Sequence, residues 1–278
     1  MRDAPALLRF WHLASLDAPS VAMVWAAAFA WTARVPARGG ILLLLGLVAW
    51  TVYIADRLLD ARKAHRKGQF DSLRDRHYFH WRHRRVLIPL AGAAALAATR
   101  LVAMFLPAAA RAPDALVGAA AIFYFAGVHS GLDSARQGSV AVPMASKEFL
   151  VGLLFTAGCA LPAWSGPARD RLGLFLVVVF FAALAWLNCS AIAQWESGAG
   201  GRDVFRAAIW LAVSGFGAGA VACTADPRLS ALLWAGAAAA MLLAWLDRVR
   251  SRMTPLALRA LADLALLTPL ALLLKGFS

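Results

Sequence analysis

The chain has 278 residues, is 62% hydrophobic and only 15% charged, and carries a net charge of +13 with a mean hydropathy of +0.67. A soluble globular domain is about half apolar and about a quarter charged, so this composition excludes an ordinary water-soluble fold. The excess of Lys and Arg does not indicate a nucleic-acid partner, because those residues cluster in loops between apolar runs, as positive-inside bias requires.

A bilayer core takes about 20 apolar residues of helix, and only an internally hydrogen-bonded backbone is tolerated there. The apolar runs predict nine such spans, at 18–33, 40–60, 86–107, 114–132, 147–164, 172–196, 204–222, 229–246 and 255–274. The first is expected to stay in the membrane, since it lacks a small-residue cleavage site and a second long span follows at once. No run shows the alternation of a strand, and no segment reads as a separate soluble domain. The expected architecture is a single all-α, nine-helix transmembrane domain over 1–278. Its loop charges place the N-terminus in the cytoplasm and the C-terminus outside. The expected location is the inner (cytoplasmic) membrane.

In chain order, residues 4–14 read as a short amphipathic helix at the membrane surface, with Phe10 and Trp11 on its apolar side. Asp17 stands where the first span begins, as a cap or first-turn acid before Pro19. The second span ends in YIADRLLDARKAHRKGQF, where Asp56 and Asp60 are four apart and share a helical face. Two carboxylates this close repel unless a cation lies between them, and Mg²⁺ takes carboxylate and phosphate oxygens together. Arg57, Arg62, Lys63, Arg66 and Lys67 follow directly. The pattern suits a magnesium-bound diphosphate; it equally suits ion pairs at a helix end.

The basic loop 61–85 continues with His77, His80 and His83 at every third position. A metal site there would need carboxylates of matching geometry. A surface helix that dips Tyr78, Phe79 and Trp81 into the interface is the simpler expectation. Arg100 lies within the third span and His129 at the end of the fourth. Cys159, Cys189 and Cys223 lie in apolar runs without paired spacing and read as small buried residues. In the ninth span, Arg259 and Asp263 are four apart and are expected to pair as a structural unit.

The ADRLLD run at 55–60 resembles the ADRxxD core of the first aspartate motif of the UbiA-type intramembrane prenyltransferases, a motif that closes the second helix of that family. SLDAP at 15–19 resembles the sequence that opens its first helix, and LVGLLFTAGCALP at 150–162 resembles its fifth-helix segment. The family motif begins with Asn-Asp, where this chain has Val52 and Tyr53. The second aspartate-rich motif of the family is replaced by NCSAIAQWESG at 188–198, which holds no aspartate. Asn188 and Glu196 keep the spacing of the outer residues of the first motif, which suggests a diverged repeat of helix quartets. Helix–helix hydrogen bonding by Asn188 and a helix-end role for Glu196 are the alternative.

The resemblance implies a Mg²⁺-dependent transfer of a prenyl group from an isoprenoid diphosphate to a lipophilic or aromatic acceptor within the lipid bilayer. Asp56, Asp60, Asn188 and Glu196 would hold metal. Arg57, Arg62, Lys63 and Lys147 would meet the diphosphate, and Lys147 and Glu148 would serve catalysis. A terpene cyclase of the same fold, or a non-catalytic membrane protein or transporter that retained it, are the alternatives.

Overall fold

A computed structural model describes residues 4–66, 74–106, 144–164, 170–197 and 203–276, together with Gly68 and Gly118. Among these residues the regular elements are helices, with no strand. The helices are α1 (Ala6–Leu13), α2 (Asp17–Thr32), α3 (Gly39–Arg66), α4 (Asp75–Arg82), α5 (Arg84–Phe105), α6 (Met144–Trp164), α7 (Arg171–Ser197), α8 (Val204–Ala222), α9 (Pro227–Val249), α10 (Pro255–Ala265) and α11 (Leu270–Gly276). Five of them are long and apolar enough to cross a membrane, and six if α1 and α2 count as one broken span. The protein is therefore a multi-pass α-helical membrane protein. The expected fourth span, 114–132, and His129 lie outside the described residues.

The helices start where local chemistry supplies partners for their first N–H groups. Asp203 caps α8 by accepting from Arg206 N at 2.9 Å. Asp226 caps α9 through Arg228 N at 2.9 Å and Leu229 N at 3.2 Å, with Pro227 at the first helical position. Thr254 and Pro255 do the same for α10. These are the residue types that helix starts prefer, because an unsatisfied N–H costs most where there is no water.

The described residues fall into two compact units. The first comprises Pro5–Ser20 and the chain from Gly39 onward through α5. Here α3 runs unbroken for 28 residues, about 42 Å at 1.5 Å per residue, which exceeds a hydrocarbon core of about 30 Å. Its last turns therefore extend past the apolar layer and carry the polar sequence from Asp56 onward. Leu44 on α3 packs with Ala98 on α5 and with Leu106. The short helix α4 bridges the end of α3 and the start of α5.

The second unit holds Val21–Arg38 and the chain from α6 to the C-terminus. Its core is an aromatic stack. Trp25 lies on Phe181 with ring centroids 3.9 Å apart, and Phe29 meets the edge of Phe181 at 5.7 Å. Gly152 on α6 permits a close crossing of α7, since a Cβ there would lie 2.9 Å from the Trp186 backbone nitrogen. The expected single ninth span is instead two helices, α10 and α11, separated by a turn at 266–269. Pro269 lacks an N–H and biases Thr268 away from helical angles, so the helix stops there. The buried Trp25 indole N–H donates to the Leu266 carbonyl at 2.8 Å, and Thr268 Oγ1 donates to Ala235 O at 2.8 Å. The break is thus supplied with partners from α2 and α9.

Candidate functional site

The carboxylate pair lies on the final turns of α3. Asp60 is exposed and Asp56 half-buried, and Arg62 and Lys63 beside them are exposed. Four residues apart, the two carboxylates share a face that opens past the apolar layer. An all-oxygen donor set of this kind suits a hard divalent cation.

Arg57 has a different role from the one expected. It is 2% exposed, and its guanidinium turns away from the polar end and into the protein. Nη1 donates to Ser15 Oγ at 2.5 Å and to the His12 carbonyl at 3.1 Å, and Nη2 lies 3.5 Å from Asp17 Oδ2. The reason is the helical period: Arg57 follows Ile54, also fully buried, on the inward face of α3, whereas Asp60 falls on the outward one. Arg57 is a buried ion-pair partner and is not presented to a diphosphate.

The Arg57 cluster extends through the α1–α2 turn. His12 Nδ1 donates to Asp17 Oδ2 at 2.7 Å, and Asp17 Oδ1 accepts from Ala18 N at 2.9 Å. Ser15 takes a positive φ of 58° at the position that follows a helix end. Leu16 N donates back to Trp11 O at 3.0 Å, the six-to-one bond of a Schellman ending. Glycine is the usual residue there, and a side chain in the left-handed region costs roughly 1 kcal/mol. Serine is used because its hydroxyl accepts from Arg57 and donates to His80 Nε2 at 2.9 Å. The Trp50 indole N–H takes the Ala14 carbonyl at 3.0 Å, so α3 satisfies one carbonyl at the end of α1 and, through Arg57, gives a second donor to the His12 carbonyl, which also accepts from Ser15 N.

His80 donates through Nδ1 to the Arg76 carbonyl at 2.6 Å, which leaves Nε2 as the acceptor for Ser15. Burial, with Arg57 nearby, holds the imidazole neutral and pushes its pKa down from 6.5 to about 4. His77 is also buried, and its Nδ1 lies 3.4 Å from the Arg57 carbonyl. The face of α4 that turns inward is therefore His77 and His80, while Tyr78 is exposed. Of the three evenly spaced histidines, His77 and His80 mark the buried face of α4, whereas His83, its C-cap, is exposed. His12, Ser15 and His80 were not assigned to this cluster from the sequence. The one legible signal was that polar residues three and four apart must share a side of a short helix.

In the second unit, the residues expected to bind metal meet charges on α10. Arg259 Nη1 donates to Glu196 Oε1 at 3.1 Å, with both side chains largely buried. Asn188 Nδ2 donates to Asp263 Oδ1 at 3.1 Å. Arg259 and Asp263, four apart on α10, thus each reach a polar residue of α7. Asn188 is 5% exposed, and its Oδ1 is buried without a hydrogen-bond partner among the described residues. A buried amide oxygen left open in this way is the donor that a cation would use. Glu148, near the start of α6, is half-buried. The Lys147 side chain lies outside the described residues.

No family model matches the chain, and no curated protein or solved structure matches it.

Proposed function

We propose that the protein is a nine-span intramembrane prenyltransferase of UbiA type, with its N-terminus in the cytoplasm of a cell bounded by an inner (cytoplasmic) membrane. The observation that carries this reading is the pair Asp56 and Asp60 at the polar end of the unbroken α3, beside exposed Arg62 and Lys63. Asp56 and Asp60 would hold Mg²⁺, and in the other unit the open Asn188 Oδ1 and Glu196 would offer oxygens of the same kind; when bound, the metal would supply charge neutralisation for a departing diphosphate.

The remaining chemistry belongs to the chain. Arg62, Lys63 and Lys147 orient the diphosphate as cations. The apolar faces of the long helices seat the prenyl chain and exclude water. The allylic C–O bond breaks as diphosphate leaves, the acceptor bonds to the allylic carbon, and Glu148 takes the proton that the acceptor loses.

The test is incubation of the purified protein with labelled prenyl diphosphates and Mg²⁺, with and without a lipid extract as acceptor source. Release of diphosphate that depends on acceptor supports a transferase. Release without acceptor supports a cyclase of the same fold. No release at any chain length overturns the enzyme reading.

One observation favours a non-catalytic carrier that keeps the fold. The Arg259–Glu196 pair and the Asn188–Asp263 bond already give the polar residues of α7 partners within the protein. Intact diphosphate release by Glu196→Gln would show that this pair is structural without disturbing the role of Asp60.

A further inference from the structure

The basic bridge between α3 and α5 contains a hollow of about 330 Å³ lined by His65, Tyr78, Trp81 and Arg82. We propose that this hollow binds the phosphate headgroup of an anionic phospholipid. Three observations converge on that ligand. The first is position: the hollow lies where the apolar helices α3 and α5 end, at Arg66 and Arg84, and the polar ends of membrane-crossing helices fall in the headgroup region. The second is the build of its wall. The Trp81 ring lies 5.1 Å from the His65 ring, and the Arg84 guanidinium stands 4.5 Å over it while donating to the Trp81 carbonyl at 2.8 Å. An indole held in this way, with Tyr78 exposed beside it, is the amphipathic anchor of a membrane interface. The third is charge: Arg82 lines the hollow and is exposed, and Arg66 and Arg85, next in sequence to His65 and Arg84, are exposed as well. Basic pockets between membrane helices select acidic headgroups because the phosphate exchanges part of its water for fixed cations.

The ligand is distinct from the isoprenoid diphosphate proposed above. It would bind without metal and without turnover, so the two readings fail separately. The shared chemistry is a phosphate monoanion, and the experiment distinguishes a lipid from a soluble source.

The full chain is reconstituted into nanodiscs of phosphatidylglycerol and phosphatidylcholine in equal parts, extracted gently, and its retained lipid is measured by native mass spectrometry. The expected result is retention of phosphatidylglycerol over phosphatidylcholine. Arg82→Gln should lower that preference roughly fivefold, the worth of one basic residue at an anionic surface, and Arg82→Lys should keep most of it. Arg206→Gln, which changes an exposed arginine at the start of α8, should leave it unchanged. Equal retention of the two lipids by the wild type overturns the proposal, as does an equal loss in Arg206→Gln. Displacement of the lipid by millimolar inorganic phosphate or diphosphate would identify a soluble-anion site and also overturn it.

Discussion

Arg57 and Asp17 provide the sharpest test of the buried cluster. Both side chains are 2% exposed, so Asp17→Ala takes from a dry site the carboxylate that Arg57 and His12 share. Removing one member of a buried pair costs roughly 3–5 kcal/mol, whereas removing both can be nearly neutral. Arg57→Met should cost a similar amount, because the Ser15 hydroxyl and the His12 carbonyl also lose their donor. The double variant Asp17→Ala/Arg57→Met should recover part of the loss, with a coupling of roughly 1–3 kcal/mol for groups in one network. The assay is equilibrium unfolding in detergent micelles followed by circular dichroism, for the wild type, both single variants and the double. Single-variant costs under about 1 kcal/mol, or strictly additive effects, would refute the reasoning. The cluster would then not be the element that joins α1, α3 and α4.

His80 predicts a pH dependence. Its pKa in the folded protein, about 4, lies below the ordinary 6.5. The stability it contributes is therefore fully present above pH 6.5 and is lost as pH falls from there towards 4. The loss amounts to roughly 3 kcal/mol at 1.36 kcal/mol per unit, and thermal melts across that range should steepen for the wild type and flatten for His80→Gln. Gly152→Val should destabilise by roughly 1–3 kcal/mol through overpacking against the Trp186 backbone, measured by the same unfolding assay; Gly92→Val, where the space is open, should cost less. Reporter fusions at Gly68 and Ser278 should report opposite sides of the membrane, and the same side would remove the nine-span topology. Asp60→Asn should leave insertion intact and lower diphosphate release by orders of magnitude, since metal stabilisation of a leaving group is worth several kcal/mol.

The membrane character and most helix boundaries were legible in the sequence because both follow from local chemistry. Runs such as GGILLLLGLVAW and LFLVVVFFAALAW can satisfy their own backbone only as helices in lipid. Asp226-Pro227 and Thr254-Pro255 mark starts that any helix would use. The expected spans at 40–60, 86–107, 172–196, 204–222 and 229–246 each correspond to a helix within a few residues. The break within the expected ninth span was not legible because mean hydropathy hides a single Pro269. The partners that tolerate a break there, Trp25 and Ala235, lie far away in the chain.

The site was less legible, for a reason of geometry. The DxxxD spacing at 56 and 60 puts both carboxylates on one face, and that much follows from a period of 3.6. Which way the face points does not follow, and one residue decided it: Arg57, adjacent in sequence to Asp56, is rotated about 100° from it and lies inside. A sequence charge count treats Arg57 and Arg62 alike, yet one is buried against Asp17 and the other exposed. The role of Ser15 was not legible in the sequence, because a serine with positive φ is selected by what its hydroxyl meets, and those partners, Arg57 and His80, stand 42 and 65 residues away.

The sequence by itself determined that this chain lives in a bilayer, where most of its helices begin and that Asp56 and Asp60 share a helical face. These properties depend on hydrophobicity and near-neighbour spacing. Only the tertiary structure decided which charges are paired. Burying an ion requires a partner within a few ångströms, and in this protein those partners, Asp17 for Arg57 and Glu196 for Arg259, come from other helices.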